Sequence, residues 1–421
     1  MPPIADHPLR YALANELHAR PFPVLDVPSV AAYLAILPAE AAQDAAKTRA
    51  HLIALLDRYG AAHPPPGATH LFGDIGRATL KWESHTEFTT YTAFTAGVPD
   101  RPFGPDEFDV FPEPWMAAAL GTRITSALIR VQALPDDDAT ILPLLQDWFV
   151  AESLAVSRVL DGEAIIAGDF RIDAAGHMRF AVFVRPGTSP RRVGRIVQLL
   201  CEIETYKAMS MLGLEEARRL SSDMGRLDGR LSACVSGMAV AEHGHEYVLH
   251  DLLGVAAELE SLLARSSFRF GATAAYAAIV NQRIEVLRED RFGGRQTFAE
   301  FMMRRFDPAM RTVRAAEARL SAMADRAIRA GDLLRTRVDV ARSAQNQALL
   351  ASMNRRADLQ LRLQHTVEGL SVVAISYYAV NLGAYLLSPA ATALDVPKTA
   401  LIAALTPLTI IAVWVAIRRL R

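Results

Sequence analysis

The residues most able to do chemistry lie in one short segment rich in Thr, Phe, Tyr and Trp. Ionisable side chains occupy every second position there: Lys81, Glu83, His85 and Glu87. Residues two apart on a β-strand share one face, so this spacing predicts a strand that gathers metal-ligand types on one side. The alternative is a solvent-facing ladder of cross-strand ion pairs.

More ligands could come from the N-terminal segment Asn15-Glu-Leu-His-Ala-Arg-Pro21, which contains Glu16 and His18. A metal site needs three or four convergent ligands, and sequence cannot show that these residues converge. If a cofactor is bound, we expect a divalent cation, Mg²⁺ or Zn²⁺. The same charged segment could instead bind an anion or dock the N-terminus onto the strands.

Motifs of several enzyme classes are missing from the sequence. In Glu242-His-Gly-His-Glu246 the second His of a zinc-protease pattern is replaced by Leu249, and we interpret this stretch as a helix start near Gly244. No phosphate-binding loop or nucleophile elbow occurs. The two cysteines, Cys201 and Cys234, lack metal-ligand spacing. We therefore expect no enzymatic activity.

The elements that position these residues change in kind near Thr188. Before it, hydrophobic patterning predicts helices over Tyr11–Ala19, Ala31–Leu37 and Ala45–Arg58, a strand or hairpin over Arg77–Thr95, and a strand over Thr125–Leu134. Glu163–Arg171 and His177–Arg185 flank Asp173-Ala-Ala-Gly176 and are predicted to form a hairpin. The fold class is thus α+β, with a mostly antiparallel sheet. After it, the periodicity predicts helices over Val193–Leu212, Leu214–Val240, Glu246–Phe268, Thr273–Arg288 and Thr297–Phe306.

A long helix starting at Asp307 leads into two apolar segments, Val367–Leu387 and Thr399–Ile417. Each is close to the roughly 20 residues that cross a hydrocarbon core. Arg355, Arg356 and Arg362 precede the first, and Arg418, Arg419 and Arg421 follow the second. Because Lys and Arg mark the cytoplasmic side, both ends should be cytoplasmic. A buried helical hairpin in a soluble core is the alternative.

These observations divide the chain into six parts. They are an N-terminal α/β cytoplasmic domain (1–188), a helical cytoplasmic region (189–306), a stalk helix (307–366), a first transmembrane helix (367–387), an outer loop (388–398) and a second transmembrane helix (399–417). So long a helix needs packing partners, which predicts a homo-oligomer in the lipid bilayer.

One stripe of the long helix is small and polar. It includes Asp332, Asp339, Ser371, Tyr378 and Asn381. Polar side chains within a membrane usually face a bundle interior or water, so a ring of helices would place this stripe along a central axis. Alternatively, the Asp residues belong to an ordinary solvated face, and Tyr378 packs at the membrane interface. The net charge of −1 and the lack of a basic, aromatic-rich patch argue against nucleic acid as a partner.

The architecture resembles the CorA superfamily of divalent-cation transporters, in which a stalk helix becomes the pore-lining span. That family carries Tyr-Gly-Met-Asn where this chain has Tyr378-Ala-Val-Asn381. Only Tyr and Asn match, which puts magnesium selectivity in doubt. The resemblance implies a pentamer, an ion path along Asn381, Tyr378, Ser371, Asp339 and Asp332, and passive cation movement.

The chain also resembles a bacterial membrane-anchored family of unknown function. The shared segments are His7-Pro-Leu-Arg10 with Asn15–Pro21, then Lys81–Phe88, Leu359–Gln364 and Val367–Ser371. This resemblance implies an inner-membrane location without an activity. The sequence therefore favours a protein that moves or senses divalent cations. The alternatives are an oligomeric scaffold or regulatory protein that the spans only anchor, and a metal-dependent enzyme built on Glu83, His85 and Glu87.

Overall fold

The computed structural model describes residues 4–16, 22–39, 45–240, 245–394 and 397–419. Within these ranges, nine strands form one sheet. They are β1 (Ser29–Pro38), β2 (His70–Ile75), β3 (Ala78–Ser84), β4 (Thr89–Ala96), β5 (Gly121–Ala133), β6 (Ala155–Val159), β7 (Ala164–Gly168), β8 (Met178–Val184) and β9 (Asp290–Arg291). Their order is β2-β3-β4-β1-β5-β8-β7-β6-β9. Every pairing is antiparallel except β5 with β8.

The α-helices in the same ranges are α1 (Arg10–Glu16), α2 (Ala45–Tyr59), α3 (Glu113–Ala117), α4 (Ile141–Trp148), α5 (Pro190–Val240), α6 (His245–Leu287), α7 (Phe298–Arg305), α8 (Asp307–Ala393) and α9 (Lys398–Arg419). The predicted α+β class and the mostly antiparallel sheet are confirmed. The predicted long helix and the apolar C-terminal helix are also present.

The prediction of a helix over Ala31–Leu37 is wrong, because this segment lies within β1. That strand pairs with β4 on one side and β5 on the other. Residues 29–36 are all buried. A strand that is covered on both faces shows a continuous apolar run instead of alternation, and this run of Ala, Leu and Ile has the composition of a helix.

Several helix ends also differ from the predicted ones. The structure joins the predicted pieces on either side of Gly213 into α5, and those on either side of residues 269–272 into α6. The long helix α8 continues past Leu387, through Pro389, to Ala393. The non-helical connection to α9 is therefore shorter than residues 388–398.

The sheet is covered differently on its two faces. On one face, Leu52, Leu55 and Leu56 of α2 join Trp82, Tyr91 and other residues in a hydrophobic cluster. On the other face, β3 and β4 residues and the first turns of α5 line a cavity. Lys81 and Trp82 are neighbours in β3 and therefore point to opposite faces, so Lys81 lies on the cavity side.

The chain divides into two compact units. The first contains Met1–Ser236 with Asp251–Ile328, and the second contains Gly237–His250 with Arg329–Arg421. The first unit thus holds the sheet and most of α5 and α6. It also holds the start of α8, up to Ile328. The second unit holds α8 from Arg329, all of α9, the end of α5 and the start of α6.

Candidate functional site

The four alternating ionisable residues do not lie on one strand. Lys81 and Glu83 belong to β3, whereas His85 and Glu87 lie in the turn to β4, where the His85 N–H donates to the Phe88 carbonyl at 2.9 Å. The prediction of a single strand through all four is wrong, whereas the alternative of a hairpin over Arg77–Thr95 is confirmed by the antiparallel pairing of β3 with β4. The turn contains neither Gly nor Pro, so no ordinary turn signal separated it from the strand.

Glu87 is held by residues of α6. Its carboxylate accepts hydrogen bonds from Arg269 Nη2 at 2.6 Å and from the Tyr276 hydroxyl at 2.7 Å. Burial, together with this neighbouring carboxylate, raises the pKa of Tyr276. Glu87 therefore ties the β3–β4 turn to α6.

The metal-site hypothesis gains no support from the described residues. Among them, no three His, Cys, Asp or Glu side chains are grouped so that they could hold a metal ion. His18 lies outside the described residues, and so do Glu242, His243 and Gly244, although α6 does begin at His245. Glu16 ends α1, but its side chain is not described. A metal ligand set that includes these two N-terminal residues stays a prediction.

A series of polar contacts joins β3, α5 and α6. Lys81 Nζ lies 3.1 Å from Glu83 Oε2 and donates to Gln198 Oε1 at 2.9 Å. Gln198 Nε2 in turn donates to Glu202 Oε1 at 2.6 Å, and Glu202 pairs with Arg283 of α6. Lys81 and Arg283 are therefore each compensated by a carboxylate.

This network borders a cavity of about 330 Å³ in the first unit. Neighbouring residues of three strands form the side of the cavity made by the sheet. Thr92 of β4 pairs with Lys81 of β3 and with Tyr33 of β1. The Tyr33 hydroxyl and the Thr205 hydroxyl are hydrogen-bonded to each other. Burial raises the pKa of the Tyr33 phenol and of the Cys201 thiol, which also borders the cavity.

Sequence reasoning found Lys81 and Glu83 but missed the helix residues opposite them. Arg195, Gln198 and Glu202 of α5 all line the cavity. Their spacing of three and four residues places them on one face of the helix. A polar stripe within the mainly apolar stretch 193–203 of α5 was the signal that could have identified them.

The predicted pore residues lie on α8 in the second unit. Ser376 and Val380 of this helix are 4% and 9% exposed, and both border a cavity shared with Ile402 and Thr406 of α9. Tyr378 is 71% exposed. Because successive helical residues turn by roughly 100°, Ser371 and Tyr378 point roughly opposite to the face that packs on α9.

Asn381 occupies a different position from these two. It borders the cavity between α8 and α9, and its Nδ2 donates to the Tyr377 carbonyl at 3.0 Å. Asp332 and Asp339, nearer the start of this unit, are exposed. The structure thus places Tyr378 on the exposed face of α8, with the half-buried Ser371 on the same side and Asn381 at the edge of this face.

Within the part of the chain that the structure describes, two helical segments are long and apolar enough to cross a membrane. The candidate segments are Phe298–Ala391, whose most apolar window has a mean hydropathy of 1.6, and Lys398–Ile417, with 2.4. Only 6% and 0% of these windows are buried inside the chain. This finding rests on length and composition alone. It agrees with a membrane protein but identifies neither the membrane nor the orientation.

The fold and these features define an α+β protein that ends in an apolar helical pair. The chain belongs to the family described as "Protein of unknown function (DUF3422)", which matches residues 5–421. No curated protein and no solved structure matches it. The resemblance to a family of unknown function is thereby confirmed, whereas the resemblance to CorA stays a prediction.

Proposed function

We propose that this protein is a membrane-anchored homo-oligomer that acts as a scaffold or regulatory protein, with no catalytic reaction of its own. The observation that carries the proposal is the exposure of α8, in which every residue from 341 to 367 is exposed. This stretch includes Leu349, Leu350 and Met353, all more than half exposed. A helix with apolar side chains and no packing partner gains its stability from association.

The basic residues around the two apolar helices support an orientation. Arg355, Arg356 and Arg362 precede the first apolar segment, and Arg418 and Arg419 follow the second. Since Lys and Arg concentrate on the cytoplasmic side, the proposal places both chain ends and the sheet in the cytoplasm of a bacterium. The helices then cross the inner membrane as one hairpin.

The oligomeric mass of the detergent-purified protein tests this proposal. Light scattering coupled to size exclusion should give several copies of the 46.0 kDa chain, with five expected from the CorA resemblance. The double variant Leu349→Glu/Met353→Glu places charges on an apolar part of α8 and should lower the mass.

Gln347→Glu/Ala351→Glu is the matched control, because it adds as many charges roughly on the opposite side of the helix. It should leave the mass unchanged. A wild-type monomer, or equal masses for the two double variants, would contradict the proposed assembly.

Passive movement of divalent cations is a second candidate function, favoured by the direction of Ser371 and Tyr378. Both point away from the α9-packing face, as residues around a shared axis would. Asp332 and Asp339 would then add carboxylates, which hard cations prefer as ligands. Asn381, at the edge of this face, would lie near the outer mouth.

Flux of Mg²⁺ or Zn²⁺ into proteoliposomes loaded with an indicator dye tests this second candidate. Wild-type protein should admit the ion. Ser371→Leu should slow its entry, because an apolar side chain would exclude water from the axis shared by the helices. Ser376→Ala, on the α9-packing face, should conduct like wild type. Asn381→Ala should reduce the flux as well. Absence of wild-type flux would leave the anchored scaffold as the function.

A further inference from the structure

The cavity of the first unit has the size of a small-molecule site. Its volume is about 330 Å³, within the range of roughly 300–1,000 Å³ that is typical of ligand pockets. It lies between the sheet and the first turns of α5, with one wall from α6. Rigid elements on three sides can hold a ligand in one orientation.

Part of the cavity wall is apolar and flat. Phe22, Phe88 and Phe94 border it, and so does Tyr206. Phe88 contacts the Tyr206 ring edge-on at 5.9 Å and stacks on His85 at 4.5 Å between ring centroids. Aromatic walls of this kind pack favourably against a planar apolar ligand.

The charges around the cavity are unequal. Among the described residues, three cationic side chains border it, Lys81, Arg195 and Arg283, against the carboxylates of Glu83 and Glu202. Lys81 is paired with Glu83, and Arg283 with Glu202. Among the described parts of the chain, Arg195 has no ion pair, and its buried Nε has no hydrogen-bond partner. Its guanidinium lies over the Phe22 ring, 5.6 Å from the centroid.

An unpaired, partly buried guanidinium favours an anion. A buried donor without an acceptor costs roughly 1–3 kcal/mol, and an incoming carboxylate or phosphate would remove that cost with charge-assisted hydrogen bonds. A cationic ligand would meet the excess positive charge instead. The segment that carries Phe22 is also fixed in place, because the Leu25 N–H donates to the Pro190 carbonyl at 3.1 Å.

We propose that this cavity binds a small organic anion, whose anionic group pairs with Arg195 and whose flat apolar body packs against the surrounding rings. The ligand class is thus an aromatic or similarly planar carboxylate or phosphate. This site does not depend on how the chain is anchored or assembled. It gives a scaffold or regulatory protein a means of responding to a metabolite.

Titration calorimetry of the full-length protein in detergent tests the proposal, with benzoate as the probe. Benzoate should bind saturably with one site per chain. Benzamide has nearly the same shape without the charge, and inorganic phosphate has the charge without the ring. Both should bind at least about tenfold more weakly, since each lacks one of the two interactions.

Arg195→Gln should weaken benzoate binding by roughly 10- to 100-fold, as expected for the loss of a hydrogen-bonded charge. Arg195→Lys keeps the charge and should retain part of the affinity. Arg191→Gln, at an exposed position one turn earlier in α5, is the matched control and should bind like wild type.

Three outcomes would overturn the site. They are no saturable benzoate binding to wild type, equal affinity for benzoate and benzamide or phosphate, and full affinity in folded Arg195→Gln. The first two are measured on wild-type protein, so they decide the question even if the variant fails to fold.

Discussion

Glu289 is a partly buried carboxyl beside the N-terminus of α7. Its Oε2 accepts a hydrogen bond from the Ala299 N–H at 2.9 Å, whereas its Oε1 is buried with no partner among the described residues. Burial raises the pKa of Glu289 to about 7, and nearby Glu300 adds to the shift. The folded chain therefore holds this proton at a pH where an unfolded chain has released it.

This raised pKa predicts that Glu289 lowers stability as pH rises. The unfavourable contribution begins above the ordinary carboxyl value of 4.5, grows until about pH 7 and is then constant. Glu289→Gln stays neutral throughout, so its Tm relative to wild type should be higher at pH 8 than at pH 5. The difference should be a few degrees, or about 1–2 kcal/mol after solvent screening.

Thermal unfolding of both proteins at pH 5 and pH 8 measures this effect. Burial also lowers the pKa of His51 and of His177, so these residues add their own pH dependence to stability. Both are present in wild type and variant, so their contributions cancel in the comparison. A constant Tm difference between the two proteins would show that Glu289 does not titrate as described.

The candidate site was predictable from sequence only where its residues are neighbours in the chain. Lys81 and Glu83 were identified because β-strand alternation places them on one face. Arg195 and Arg283 lie far from them in sequence, and only the packing of α5 and α6 onto the sheet brings them to the same cavity. Single-sequence reasoning has no access to such tertiary contacts.

Gly194 allows the N-terminal part of α5 to lie directly against an extended segment. A Cβ atom at this position would stand 1.8 Å from the Pro23 carbonyl oxygen and 2.7 Å from its carbon. Both are backbone atoms, so a rotamer change cannot relieve the overlap.

Gly194→Ala should destabilise the protein by roughly 1–3 kcal/mol through this overlap. Gly225→Ala, in the same helix, is the control, because a Cβ there meets no atom within 4 Å. It should be neutral or stabilising by up to about 1 kcal/mol, since Ala favours a helix interior over Gly. Thermal denaturation of the two variants compares them, and equal Tm values would contradict the close approach.

Helices and hairpins of this fold follow from local patterns, whereas its central strand does not. The β7–β8 hairpin was predicted from the Gly-containing turn Asp173-Ala-Ala-Gly176 between two apolar runs, and its prediction is confirmed. The central strand β1 has no alternation because the sheet buries both of its faces. What makes Ala31–Leu37 a strand is therefore pairing with β4 and β5, which lie far along the chain.

At the scale of the whole molecule, the two faces of α8 in its apolar part have different roles. Gly383 packs closely on α9, because a Cβ there would lie 2.5 Å from Leu405 Cδ2. Small residues at such contacts let membrane helices approach. The opposite face carries Tyr378 and Tyr385, which are 71% and 80% exposed, and the half-buried Ser371. The proposed oligomer would bring these open faces together.

Disulfide cross-linking distinguishes the two faces. In a Cys201→Ser/Cys234→Ser background, Tyr378→Cys should link two chains on mild oxidation in the membrane, because copies of this face meet. Ser376→Cys, on the face covered by α9, should give only background dimer on a denaturing gel. Cross-linking of Ser376→Cys in place of Tyr378→Cys would mean that copies do not meet along the predicted stripe. The same result would remove the support for a shared cation path.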